Sequence, residues 1–225
     1  MWFMDDGSLV GPPEVVAAVV KLIKDLVPIT KLGLRYSKCE AHFANHAQKE
    51  KYAKLFTDIH PEIEIHDTYN MKYLKAPVGD DDFVEQYLDQ KLEKIKEEID
   101  KITELGIAEN RHEAFFILQS CTGVNKVQHF TRTIPPHQLK KFLIKYDAVM
   151  KNAFGKLLGA ELSELQWRRA RLPPKSGGFR LRTGVTTTGA AYALSIVKNK
   201  DYIEKFCSSM DVEFDAKATL NTDAI

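Results

Sequence analysis

From Phe83 to Ile102 the apolar residues Phe83, Tyr87, Leu88, Leu92, Ile95, Ile99 and Ile102 return at helical spacing without a break. A stripe of that period over such a length specifies a long amphipathic helix, polar outside and in need of apolar partners on its other face. Helical patterns follow at 109–121, 136–158, 162–171 and 184–206, so the chain from Asp80 onward is expected to be mainly helical. After Met210 the periodicity ends, and a frayed or disordered tail is expected over 211–225.

The first eighty residues have a different texture. Trp2-Phe3-Met4, Asp5-Asp6-Gly7 and Ser8-Leu9-Val10 read as strand, tight turn and strand, with Asp-Gly as the turn signal. Pro12 and Pro13 stand where a helix begins; Val15, Val16, Val19, Val20, Ile23 and Val27 carry its apolar face until Pro28, and that face is expected to pack on a sheet. Short strands and turns are expected over 33–43 and 63–79, with a helix from Ala47 to Phe56 between them. The fold class is therefore α+β: a small sheet with helices over 1–79, then a helical region over 80–210.

Size and composition set the outer limits. A chain of 225 residues, 44% apolar and 28% charged, has an ordinary globular balance and can bury a sizeable core. The run Val15 to Val20 is six residues long before Lys21, far short of the ~20 that a membrane span requires. Asp5 and Asp6 stand where a secretory leader would carry its basic and apolar regions, so no leader is read. Cys39, Cys121 and Cys207 are few, odd in number and far apart, which fits free thiols. An intracellular protein, cytoplasmic or nuclear, is expected.

A net charge of +1 hides a strong division. Residues 80–104 hold ten Asp/Glu against four Lys, a net of −6, while residues 131–182 hold twelve Lys/Arg against three Asp/Glu, a net of +9. A local basic surface is the footprint of a polyanion partner, and a solvated Lys-rich helical face is the plainer alternative. Within it, Trp167 beside Arg168, Arg169 and Arg171 offers either base stacking with phosphate contacts or a core tryptophan among solvated arginines. Ser176-Gly177-Gly178 after Lys175 reads as a flexible loop in preference to a phosphate cradle. Cys39, His42 and His46 have C-x2-H-x3-H spacing, with His60 and His66 following; Zn²⁺ is conceivable there, and chance spacing is the simpler account.

The most specific chemistry lies at the start. Adjacent carboxylates on a rigid turn can share divalent cations, since Mg²⁺ is held through one or two carboxylates plus substrate phosphates. An isolated Asp-Asp-Gly is usually turn chemistry alone. Here it begins a longer series: aromatic-x-Asp-Asp-Gly-x-hydrophobic-Val-Gly, a helix, Gly33-Leu34-x-x-Ser37-Lys38-Cys39-Glu40, and Lys72-Tyr73-Leu74-Lys75-Ala76-Pro77-Val78-Gly79. In that order these resemble the end of the palm in reverse transcriptases (RNA-directed DNA polymerases) of non-LTR retroelements. Cys121-Thr122-Gly123, Arg132-Thr133-Ile134-Pro135-Pro136, Phe154 to Gly159 and Leu172 to Leu181 look like the helical region after that palm, so the resemblance covers residues 1 to about 200.

By this resemblance, Asp5 and Asp6 match the family's metal-binding Asp-Asp pair with Mg²⁺ as cofactor. Lys38 likewise matches the basic residue near the incoming nucleotide, although a solvated surface lysine is the simpler account. Tyr73, Leu74 and Gly79 would belong to the hairpin that positions a primer end, and Lys75 replaces the family's Gly in that turn. Residues 80–210 would be a thumb-like region whose basic face, with Arg168, Arg169 and Arg171, contacts RNA/DNA primer-template. The family's third metal-binding Asp and its fingers lie N-terminal to the Asp-Asp hairpin, where this chain has four residues, so the resemblance implies negligible polymerase activity from it alone. The intact enzyme would join deoxynucleotides to a primer end. The alternative is a non-catalytic nucleic-acid-binding or assembly module, with self-association through exposed sheet edges as a further expectation.

Overall fold

The computed structural model describes residues 2–3, 6–209 and 212–215, with residues 2, 3 and 6 by their backbone only. It divides into two compact units, the first ending at Met71 and the second beginning at Lys72. Most described residues are helical, and the strands form three separate two-stranded pairs in place of the single partial sheet anticipated from the sequence. No helix among the described residues is long and apolar enough to cross a membrane. The tail expected over 211–225 falls largely outside the described residues.

The first unit opens with β1 (Trp2–Phe3) and β2 (Asp6–Gly7), antiparallel, with Trp2 opposite Gly7 and Phe3 opposite Asp6. Asp6 and Gly7 thus belong to the second strand, not to the turn that the Asp-Gly signal suggested. The helix α1 (Pro13–Thr30) starts on its prolines and runs through Pro28, closing two residues later where Lys31 turns left-handed and donates its N–H to Val27 O. A proline so near a helix end forfeits little, because few hydrogen bonds lie beyond it. The helix packs chiefly on α2 (His46–Thr57): Ala17 is buried with Phe43, Phe56, Ile59 and Ile63, and Ala41 and Ile65 of two short strands pack on the same cluster. Val15, Leu22, Leu26 and Ile29 remain exposed along its other flank.

Helix α2 is capped by the Asn45 side chain, which accepts from Gln48 N, and it connects β3 (Glu40–His42) to β4 (Glu64–His66). The two strands run parallel, pairing Glu40 with Glu64, Ala41 with Ile65 and His42 with His66. A parallel pair demands a crossover of this kind, which explains why a helix separates two such short strands.

The second unit begins with the hairpin of β5 (Met71–Tyr73) and β6 (Ala76–Val78). This hairpin packs on α3 (Asp81–Ala108) and α5 (Val124–Thr133), and the division falls after its first residue, Met71. Helix α3 carries the stripe read in the sequence, and Val84, Tyr87, Leu88, Leu92, Ile95 and Ile99 are all buried; Asp80 caps it by accepting from Phe83 N at 2.8 Å. Next come α4 (Arg111–Cys121), capped by Asn110, then α5, and α6 (Pro136–Leu158), closed by Gly159 at φ 72°. The chain ends in α7 (Glu164–Ala170), whose Ser163 and Gln166 form a capping box, then α8 (Gly184–Lys198) and α9 (Lys200–Ser208). Two elements differ from the sequence pattern: α5 is a helix of its own, and Asn199 splits 184–206 into two helices.

The core of this unit is the seam of α3 with α6, where Leu139, Phe142, Leu143, Tyr146, Met150, Phe154 and Leu157 meet the α3 stripe. Asp81 pairs with Gln138, Glu85 with Lys141, Asp89 with Lys145 and Asp100 with Lys156 at sequence separations of 57, 56, 56 and 56. A constant separation, in place of a constant sum, means that the two helices run parallel, with α4 and α5 making the return. Burial pushes the Tyr146 hydroxyl well above its usual range, and it donates to the carbonyls of Thr122 and Gly123, tying the α4–α5 link to the seam.

Candidate nucleic-acid interface

The basic stretch of the sequence separates into two groups in space. Lysines on α6 are matched by acids on α3: Lys141 with Glu85 at 2.8 Å, Lys145 with Asp89 at 2.7 Å and Lys156 with Asp100 at 3.2 Å. Lys126 of α5 reaches Glu98 at 2.6 Å, and Lys151 pairs with Glu164. Much of the −6 and +9 division is therefore satisfied internally, as exposed ladders that contribute little to stability. Among the described residues no acid lies within ion-pair distance of Arg168, Arg169, Arg171, Lys175, Arg180 or Arg182.

Most of these unmatched cations surround two adjoining clefts. One, of about 540 Å³, is lined by Arg168, Arg171, Arg182 and three threonines, 183, 186 and 187; the other, of about 450 Å³, by Arg171, Lys175, Arg180 and Arg182 with Pro173 and Pro174. Arg169 lines neither. The loop that carries them is held by its own backbone. Phe179 N and Leu181 N donate to Ala170 O, Arg180 N to Leu172 O, and Gln119 Nε2 to Phe179 O. Phe179 packs on Phe115 and Phe154, and Leu181 is buried. Gly178 is required there, since a Cβ would come within 2.1 Å of Leu172 O.

The start of α8 beside the cleft adds no free amides to this charge, because Asp147 caps it. Its carboxylate accepts from Gly184 N at 2.8 Å and Val185 N at 3.2 Å, so the first amides of α8 are already satisfied and the arginines carry the anion-attracting charge. Burial raises the Asp147 pKa, outweighing the two amides and the nearby Arg171, which act to lower it.

A second feature belongs to the β5–β6 hairpin. Its two-residue link, Leu74 and Lys75, has φ of 46° and 66°, the left-handed pair of a type I′ turn that normally calls for Asn-Gly. The turn forms despite Lys75, and the unit holds it from outside: Tyr87 Oη donates to Lys75 O at 3.0 Å and His129 Nε2 to Leu74 O at 3.0 Å. The Lys72 and Lys91 ammonium groups lie 5.8 and 5.3 Å from the Tyr87 ring centroid. Strain of this kind persists only where surroundings over-determine it. Gly79, at φ 156°, turns the chain from β6 into α3, and Tyr73 lies half-buried on β5.

The other residues singled out in the sequence lie apart from these two features. Asp5 and the Asp6 side chain lie outside the described residues, so Mg²⁺ at this pair enters only as a proposal. Lys38 is exposed in a short 3-10 turn, Tyr36–Lys38. Trp167 is a core residue, 6% exposed, which removes it as a stacking platform. The N–H groups of Ser176, Gly177 and Gly178 bond to Pro173 O and Pro174 O, so this segment is a pinned turn, neither flexible nor open to phosphate through those amides. Cys39, His42 and His46 do not converge: Cys39 Sγ donates to Arg35 O, His46 faces the Asp67 carboxylate at 3.1 Å, and His60 stacks on Tyr36. The sequence pattern did not mark Arg180 and Arg182 as site residues although their charge was counted; it held no signal for Tyr87 and His129, because their role depends on which carbonyls the fold brings to them. No known family, curated protein or solved structure matches the chain.

Proposed function

We propose that this chain is a nucleic-acid-binding piece of a reverse-transcriptase-like polymerase, in which the arginine cleft of residues 168–182 holds backbone phosphates of a primer-template. The observation that carries the reading is the concentration of unmatched arginines on and beside a backbone-pinned loop, while Lys141, Lys145 and Lys156 of the same basic stretch pair with acids on α3. Arginine suits the task because its planar fork meets phosphate oxygens in pairs. The anchored hairpin at Leu74-Lys75, directly before α3, supports the further assignment of Tyr73, Leu74 and Gly79 beside a primer end, with 80–210 as the thumb-like region. In the intact enzyme Asp5 and Asp6 would hold Mg²⁺ and Lys38 would lie near the nucleotide.

Two measurements test this. Affinity for a duplex should fall with salt at a log–log slope of about −0.9 per phosphate contacted, and a slope near zero would sink the binding claim. Primer extension with Mg²⁺ and deoxynucleotides should not exceed that of Asp5→Asn, and clear extension would show that the chain is a polymerase unaided. Self-association is part of the same proposal: short two-stranded sheets and the exposed Val15, Leu22, Leu26 and Ile29 of α1 are the surfaces that support it. A concentration-independent monomer in sedimentation would remove it.

A further inference from the structure

The parallel register of β3 and β4 places His42 directly beside His66, and their rings stack with centroids 4.6 Å apart and 16° between planes. His42 Nδ1 lies 3.0 Å from the carbonyl oxygen of Thr68. A carbonyl only accepts, so Nδ1 carries the proton and Nε2 of the neutral ring is a bare lone pair. That lone pair faces Glu40 Oε2 at 2.9 Å. Two acceptors at that separation repel unless a proton or a metal cation stands between them. His66 Nε2 is enclosed and has no hydrogen-bond partner, with Glu64 Oε2 3.6 Å away. One ligand atom each from Glu40, His42 and His66 lies within 4.8 Å of the other two, and the His42 side chain is only 9% exposed.

We propose that Glu40, His42 and His66 form a binding site for a divalent d-block cation, Zn²⁺ by donor type and number. Two imidazole nitrogens and a carboxylate oxygen suit Zn²⁺ and not Mg²⁺ or Ca²⁺, which take oxygen donors. A ligating histidine whose other ring N–H is fixed on a backbone carbonyl is the usual supporting arrangement, and His42 has it. Donors around tetrahedral Zn²⁺ stand about 3.3 Å apart and the ion lies in the plane of each ligating ring, so binding needs the close pair to open slightly and His66 to draw in and turn out of its stack on His42. The half-exposed Glu40 side chain can move to do this, and three protein ligands leave a fourth position for water. The site is independent of the polymerase reading, since it uses none of that reading's residues.

The test is calorimetric titration of Zn²⁺ into the full chain, stripped with chelator and free of nucleic acid. One equivalent should bind with a micromolar or tighter Kd and raise the unfolding temperature. His42→Ala and His66→Ala should each weaken binding by more than about 30-fold and Glu40→Gln by about 10-fold, whereas His46→Ala should leave it unchanged. Binding that survives the two histidine substitutions, or its absence in the parent chain, overturns the site. Should a variant unfold, Co²⁺ absorption on the parent chain decides: ligand-field bands without thiolate charge transfer support the assignment, and a thiolate band, placing the ion on Cys39, contradicts it.

Discussion

Lys141, Lys145 and Lys156 on α6 and Arg168, Arg171 and Arg182 beyond it come from one basic stretch of sequence, three charges each, yet they meet different surroundings. The lysines sit at a helix spacing that matches acids on the parallel α3, so each finds a carboxylate within 2.7–3.2 Å. The arginines sit on and around a loop folded back on α7, where no described acid is within reach and the one nearby carboxylate, Asp147, is turned to the amides of α8. Net charge therefore says little about binding until its internal partners are known. Only charge left over after folding is available to a polyanion.

That contrast can be broken most severely at Gly178. A Cβ there would meet Leu172 O at 2.1 Å and Arg169 O at 2.6 Å, so Gly178→Ala must displace the loop. Duplex affinity should drop by about tenfold or more, as expected for loss of two or more phosphate contacts, while far-UV circular dichroism stays that of the parent chain; an unchanged affinity would mean that the loop's conformation does not matter. Tyr146→Phe strikes the scaffold common to both groups. It leaves the Gly123 carbonyl without its buried donor, should cost about 1–3 kcal/mol in urea unfolding, and should leave the salt slope of binding as it was.

Smaller effects sharpen the same picture. Leu74→Asn relieves a residue held at φ 46° and should raise stability by about 0.5–1 kcal/mol, since Asn tolerates the left-handed region better than Leu; a fall would mean that the Leu74 side chain packs more than its exposure suggests. Asp147→Asn gives the finest test. Because the folded chain holds this carboxyl above its ordinary value of 3.8, it binds that proton more tightly than the unfolded chain does. Its contribution to stability then declines as pH rises from 3.8 through the raised folded value. Thermal unfolding across that window should show a flatter pH dependence in Asp147→Asn than in the parent chain.

The long elements were legible because their signals are local. The α3 stripe and the Pro12-Pro13 start of α1 are written within a turn or two of where they act. Helix α5 was missed although Val127, Phe130 and Thr131 share one face, because it is only 10 residues long. The internal matching of lysines with acids was not legible, since it depends on α3 and α6 running parallel at a separation of 56 residues. For the same reason the histidines grouped by C-x2-H-x3-H spacing come apart, and His42 meets His66 through strand register instead. Trp167 was ambiguous beside its arginines until burial decided it.

The central claim is that the unmatched arginines, and not the basic composition, make the nucleic-acid surface. Its most direct test is the salt dependence of duplex affinity for two triple variants, Arg168→Ala/Arg171→Ala/Arg182→Ala and Lys141→Ala/Lys145→Ala/Lys156→Ala, beside the parent chain. The arginine variant should flatten the log–log slope by about 2.7, three contacts at 0.9 each, and the lysine variant should keep the parent slope. Equal flattening by both, or by neither, would contradict the account.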